Sequence, residues 1–217
     1  MESASERVAR ALRQRMLTGE IEPGAPLSQS RVAAEYGVSR IPVRDALREL
    51  AAEGLVDLDA TTAVVRGLSI GELQELYEMR EAIEPVLTRI AAPSVGRAKI
   101  VMMTSLLREM EASPPVVDWL KGNARFHATI YSCADRPRMI ELTTQLRRLT
   151  DRYLYLGVDV LGGTGRLSTE HRLILDAVRE GDAAAAADLT RAHIARSHEF
   201  ILGRLLDPLT PQVAHLT

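Results

Sequence analysis

The sequence predicts a mainly α-helical chain: an N-terminal unit of three helices and a hairpin, followed by an antiparallel all-α bundle. Ala, Leu, Arg and Glu are plentiful while aromatic residues make up only 4% of the 217 positions, a balance that favours helix over sheet. Apolar residues recur at helical spacing through most of the chain, and β-prone runs are confined to residues 55–66. Short Gly and Pro breaks divide the helical pattern into segments of ordinary length.

Residues 5–18 form the first expected helix, with Val8, Leu12 and Leu17 inward and Arg7, Arg10 and Arg13 more exposed. Gly19 stops it, and "EIEPGAPL" is a Pro/Gly turn leading to a new start at Ser28. Residues 29–36 make a short helix with Val32 and Ala33 inward, ended by Gly37. Ser39 is placed to cap the next helix, and Pro42 falls in its first turn, where the missing N–H has no intrahelical partner to lose. Val43, Ala46, Leu47, Leu50 and Ala51 then trace one buried stripe as far as Gly54. Two β-prone runs, Leu55–Leu58 and Ala63–Arg66, flank a polar turn and make a hairpin. Helix, helix, tight turn, helix and hairpin within residues 1–68 is the layout of a winged helix-turn-helix.

From residue 69 to 217 the chain reads as a second domain, with helices expected at 70–92, 95–112, 116–133, 137–157, 167–180 and 183–206. The breaks are short, which favours antiparallel neighbours in a bundle. Pro85 is expected to kink the first of these helices. Residues from 207 onward read as a loose tail.

The formal net charge is −2, so no global basic field announces a nucleic-acid partner and any such contact has to be local. Cys133 is the only cysteine, which excludes an intramolecular disulfide and reads as a small buried hydrophobe. Charged residues interrupt the N-terminus, and no apolar run is long enough to span a bilayer, so a soluble cytoplasmic protein is expected.

Local basic charge is present in the third helix. Arg40, Arg44 and Arg48 are four residues apart, so they form a ridge drifting by about 40° per step beside the apolar stripe. A charged helical flank is usually solvated. In a winged helix-turn-helix, however, the N-terminal part of this helix enters the major groove, where arginine can donate two hydrogen bonds to guanine.

"LSQSRVAAEYGVSRIPVRDALRELAAEGLV" resembles the DNA-binding segment of the GntR family of bacterial transcription regulators, most specifically over Gly37 to Leu47. The resemblance implies that Arg40 and Arg44 read bases with Ser39 beside them, and that Arg48 or Arg31 holds phosphate. The family's wing usually carries a glycine after a basic residue at its tip. Here the tip reads "DATTAV", which leaves Thr61 and Thr62 as hydrogen-bond donors to phosphate.

The second domain resembles the FCD ligand-binding domain of the FadR-type branch of that family. The similarity runs through "LYEMREAIEPVLTRIAA", "NARFHATI", "EHRLILDAVREGDAAAA" and His193. Asn123 and His127 project from one face of a helix, and His171 and His193 come from two others. Three imidazoles and an oxygen donor converging in a bundle suit Zn²⁺, Ni²⁺ or Mn²⁺. Histidines also serve as caps, surface groups and core residues, and spacing alone leaves that alternative open. Metal-binding members of the branch usually have Asp where this chain has Asn123, so a weaker site is expected. His198 and His215 are expected to be non-ligands. The resemblance further implies a homodimer on a two-fold DNA operator, most often as a repressor, and a small carboxylate effector completing the metal's coordination. Arg80 can grip that carboxylate bidentately, or pair instead with Glu84 one turn away. A metal-dependent enzyme is the alternative, although the chain has no His-Glu-x-x-His helix or nucleophile elbow, and Glu170 beside His171 falls on a different face.

Overall fold

The computed structural model describes residues 2–60, 62–112, 114–159 and 164–206, apart from the side chains of 156–168. These residues form two compact units that divide between Ser69 and Ile70.

In the first unit, helix α1 (Ala4–Leu17) begins with a reciprocal cap in which the Ser3 hydroxyl accepts from the Glu6 N–H and the Glu6 carboxylate accepts from the Ser3 N–H. Its buried face is Val8, Ala9, Leu12 and Met16. Met16, not Leu17, takes the last inward position, and Leu17 is half-buried. Strand β1 (Pro26–Ser28) follows, then α2 (Gln29–Tyr36), α3 (Arg40–Ala52), β2 (Val56–Leu58) and β3 (Thr62–Val65).

The expected hairpin is β2–β3, with Val56 opposite Val65 and Leu58 opposite Ala63. The Pro/Gly turn before Ser28 does more than expected. Pro26, Leu27 and Ser28 pair antiparallel with Val64, Ala63 and Thr62, giving a three-stranded sheet of order β1-β3-β2. Alternation buries Leu27, Ala63 and Val65 against the helices.

Gly37 lies between α2 and α3 with φ of 63°, a left-handed conformation that glycine adopts without a Cβ penalty. Ser39 occupies the N-cap position of α3, but its side chain makes no cap hydrogen bond, contrary to the sequence expectation. Val43, Ala46, Leu47 and Leu50 are fully buried, and α3 packs on α1. On the α1 side, Arg13 bonds Glu53 at 2.8 Å and Glu49 at 3.0 Å.

The second unit contains α4 (Ile70–Ala91), α5 (Arg97–Glu111), α6 (Val116–Tyr131), α7 (Pro137–Asp159), α8 (Thr164–Glu180) and α9 (Ala183–Leu205). A single 3₁₀ turn, Ala92–Ser94, follows α4. Helix α4 runs through Pro85 as one element and pairs chiefly with α9, with α6 and α7 also against it. Helix α8 packs between α5 and α9. The α5–α6 contact depends on Gly122, where a Cβ would stand 2.9 Å from the Met110 Cγ. Asn123 is the next residue along that helix.

Candidate functional site

Helix α6 brings Asn123 and His127 to the same interior face, α8 brings His171 and α9 brings His193. All four side chains are buried. One ring nitrogen from each histidine lies within 4.8 Å of the others. The Nε2 atoms of His127 and His171 are 3.1 Å apart, and His171 Nε2 is 2.8 Å from Asn123 Oδ1. With a proton on Nε2, His171 donates to the asparagine carbonyl. His193 stacks on His127 with ring centroids 5.3 Å apart. Phe126 and Trp119 present ring edges or faces to His171 and close that side with apolar surface.

Burial holds His127 well below the ordinary imidazole range, reinforced by the nearby Arg147. His193 is lowered by burial as well, and its bond to Glu170 only partly opposes that effect. Both imidazoles are therefore neutral at pH 7, the protonation state a metal requires. The donor set fits a borderline transition metal: three imidazole nitrogens and one amide oxygen in a buried interior.

Around the histidines the structure adds contacts that sequence reasoning missed. Glu170 Oε2 lies 2.8 Å from His193 Nδ1, and its other oxygen accepts from Arg196 Nε at 2.5 Å. Adjacency to His171 does turn Glu170 onto another face, and that face meets His193. Tyr131 Oη lies 3.4 Å from His127 Nδ1 and donates to Glu84 Oε2 at 2.5 Å. Glu84 is the hub of a second buried cluster: Arg80 Nε donates to it at 2.6 Å and Arg147 Nη1 at 2.9 Å. Burial alone would raise the Glu84 carboxyl, but the two guanidiniums outweigh that and bring it down to about 2.

Arg80 is thus engaged by Glu84 and also donates to Thr150 Oγ1 at 3.1 Å. Arg147 retains a buried Nε, and Thr143 one turn earlier a buried hydroxyl, with no protein hydrogen-bond partner among the described residues. No local pattern marks Arg147, which stands among other arginines on a long amphipathic helix. His198 stacks on Tyr77, outside the histidine cluster. His215 lies outside the described residues. Cys133 is half-buried rather than buried, with Lys99 Nζ 3.1 Å from its sulfur.

In the first unit, Ser39, Arg40, Arg44 and Arg48 are exposed on α3, and Arg31 is exposed on α2. Arg44 and Arg48 have only long contacts with Asp45, 3.8 Å and 3.9 Å, whereas Glu49 on the far flank is held by Arg13. Arg31 and Arg40 make no ion pair among the described residues. Thr62 is half-buried at the start of β3, and Thr61 lies outside the described residues.

No helix among the described residues is long and apolar enough to cross a membrane. The description "Bacterial regulatory proteins, gntR family" matches residues 4–62, and "FCD domain" matches residues 75–196. The gluconate operon transcriptional repressor of Bacillus subtilis (strain 168) is 30% identical over 191 residues, 84% of this chain and 78% of that protein. Its counterpart from Bacillus licheniformis is 28% identical over 214 residues, covering 94% and 86% of the two chains. Among solved structures, E. coli McbR/YncC shares the fold with a TM-score of 0.80 at 20% identity, over 94% of this chain and 99% of that one. Both Bacillus relatives are transcriptional repressors. The winged helix-turn-helix, the helical domain and the matches to both segments together place the chain in the GntR family of bacterial transcription regulators, in the group that carries an FCD domain.

Proposed function

We propose that this chain is a ligand-responsive repressor that binds a two-fold operator as a homodimer in the cytoplasm. Its α3 arginines meet the DNA, and its helical domain holds a transition metal and a small carboxylate effector. The observation that carries the effector-site reading is the convergence of His127, His171 and His193, from three helices, within 4.8 Å in a buried interior. Those imidazoles, with Asn123 Oδ1 beside His171, would hold Zn²⁺, Ni²⁺ or Mn²⁺, and the metal would supply a Lewis-acidic seat for a carboxylate oxygen.

The residues of the chain prepare that seat. Glu170 fixes the His193 ring through Nδ1, leaving Nε2 for the metal, and Tyr131 approaches His127 Nδ1 in the same sense. Arg147 Nε and Thr143 Oγ1 bring unmet hydrogen-bonding capacity to the same domain, which suits an anionic ligand with polar substituents. Arg80 contributes by holding Glu84, and can turn part of its guanidinium to the effector. On the DNA side, Arg40 and Arg44 would read bases, with Ser39 beside them, while Arg31, Arg48 and the wing threonines Thr61 and Thr62 would hold phosphates.

The test uses the full chain purified with and without chelation. Metal content, operator retardation and sedimentation are then compared in the presence of candidate carboxylates. Stoichiometric Zn²⁺ or Ni²⁺, a dimer on DNA, and an effector response abolished by chelation are the expected results. A protein that takes up neither metal in preference to Mg²⁺ would remove the metal reading and leave the repressor reading standing.

A further inference from the structure

Ile41 is 63% exposed, more than any other large apolar side chain described in the N-terminal unit. It is the second residue of α3, immediately after Arg40. With about 100° between successive residues, Ile41 points roughly 170° away from the middle of the stripe formed by Val43, Ala46, Leu47 and Leu50. No core position requires a branched apolar residue there. The flanking surface is charged: Arg48 and Arg44 lie about 20° and 60° to one side, and Asp45 about 40° to the other.

The N-terminal residues of the second helix of a helix-turn-helix contact base edges in the major groove. Three of the four bases present only hydrogen-bonding groups there. Thymine adds an apolar one, its 5-methyl. An isoleucine held outward beside arginines that would bind phosphate or guanine matches that methyl, the apolar group on the groove floor. We propose that Ile41 is a specificity-determining residue, packing on the 5-methyl of one thymine in each operator half-site. The proposal rests on the DNA-binding reading of α3 and adds to it a base preference that the arginines cannot supply.

The experiment begins with full-length protein and operators selected from a random duplex library. Each thymine of the selected half-site is then replaced singly by deoxyuridine, which keeps every hydrogen-bonding group and removes only the methyl. One position per half-site is expected to weaken binding by roughly three- to tenfold when the methyl is lost. Ile41→Ala should bind the thymine and deoxyuridine duplexes equally there, with an unchanged salt dependence, because the phosphate contacts remain. Because Ile41 is exposed, the substitution leaves the core intact. Wild-type indifference to every deoxyuridine, or a methyl effect that persists in Ile41→Ala, overturns the inference while leaving DNA binding in place. Selection that yields no sequence above non-specific binding overturns both.

Discussion

The Glu170 carboxylate joins two helices by accepting from His193 Nδ1 at 2.8 Å while its second oxygen holds Arg196. Arg196 lies three residues beyond His193 on α9, so one acidic residue of α8 fixes both the ring and the helix face that carries it. Such carboxylate–histidine pairs orient a ligand and raise its basicity.

Glu170→Gln keeps the shape of this partner and removes its charge. Metal affinity should fall roughly 10- to 100-fold by chelator competition, with little change in the helical circular dichroism. An unchanged affinity would mean that His193 is positioned by packing alone.

The second buried cluster sets an acid limit. Glu84, held at about 2 because Arg80 and Arg147 overcome the effect of burial, stays ionised in the folded chain where an unfolded carboxyl has taken up a proton. Its contribution is therefore fully present above the unfolded value near 4.5 and is lost as pH falls from there toward 2. Glu84→Gln should flatten this part of the denaturation profile. At neutral pH it should also cost about 3–5 kcal/mol, because two buried guanidiniums lose their counter-ion. Urea titrations at pH 7 and pH 3 measure both effects, and parallel losses in the two proteins would contradict the assignment.

Part of this was legible before any coordinates. The i, i+4 spacing of Asn123 and His127 places them on one face, and the apolar stripe from Val43 to Leu50 defines what α3 buries. The missed features depend on contacts distant in sequence. Strand β1 is three residues long and has no alternating run to announce it. Glu170 meets His193 across 23 residues, so its role depends on how two helices dock. Arg147 looks like any other arginine on α7 until α4 supplies Glu84. Local periodicity reports which face is buried, not which buried polar groups find one another.

The two roles of the α3 arginines separate by salt and by sequence. Arg44→Ala should cost about 1–3 kcal/mol on the selected operator and relax the preference at one position per half-site. Arg48→Ala should weaken all DNA sequences alike and flatten the slope of affinity against salt. Equal effects on specific and random duplexes from both variants would remove the assignment of Arg44 to a base.

Asn123 is 3% exposed and its Oδ1 lies 2.8 Å from His171 Nε2. Asn123→Asp preserves this geometry but introduces a buried negative charge. Burial disfavours that charge when no metal is bound, so the chelated variant should melt below the wild type. With Zn²⁺ the carboxylate becomes an anionic donor, binding tightens, and the folded state gains stability in proportion to the logarithm of free metal over Kd. The gap in melting temperature between chelated and zinc-loaded protein should thus be wider for Asn123→Asp than for the wild type. A carboxylate effector should narrow that advantage, since two anions then compete for one metal. His171→Ala removes a nitrogen donor and should shrink the gap in either background. Scanning calorimetry of the four proteins with and without chelator gives the result. An Asn123→Asp gap no wider than that of the wild type would show that Oδ1 does not face the metal.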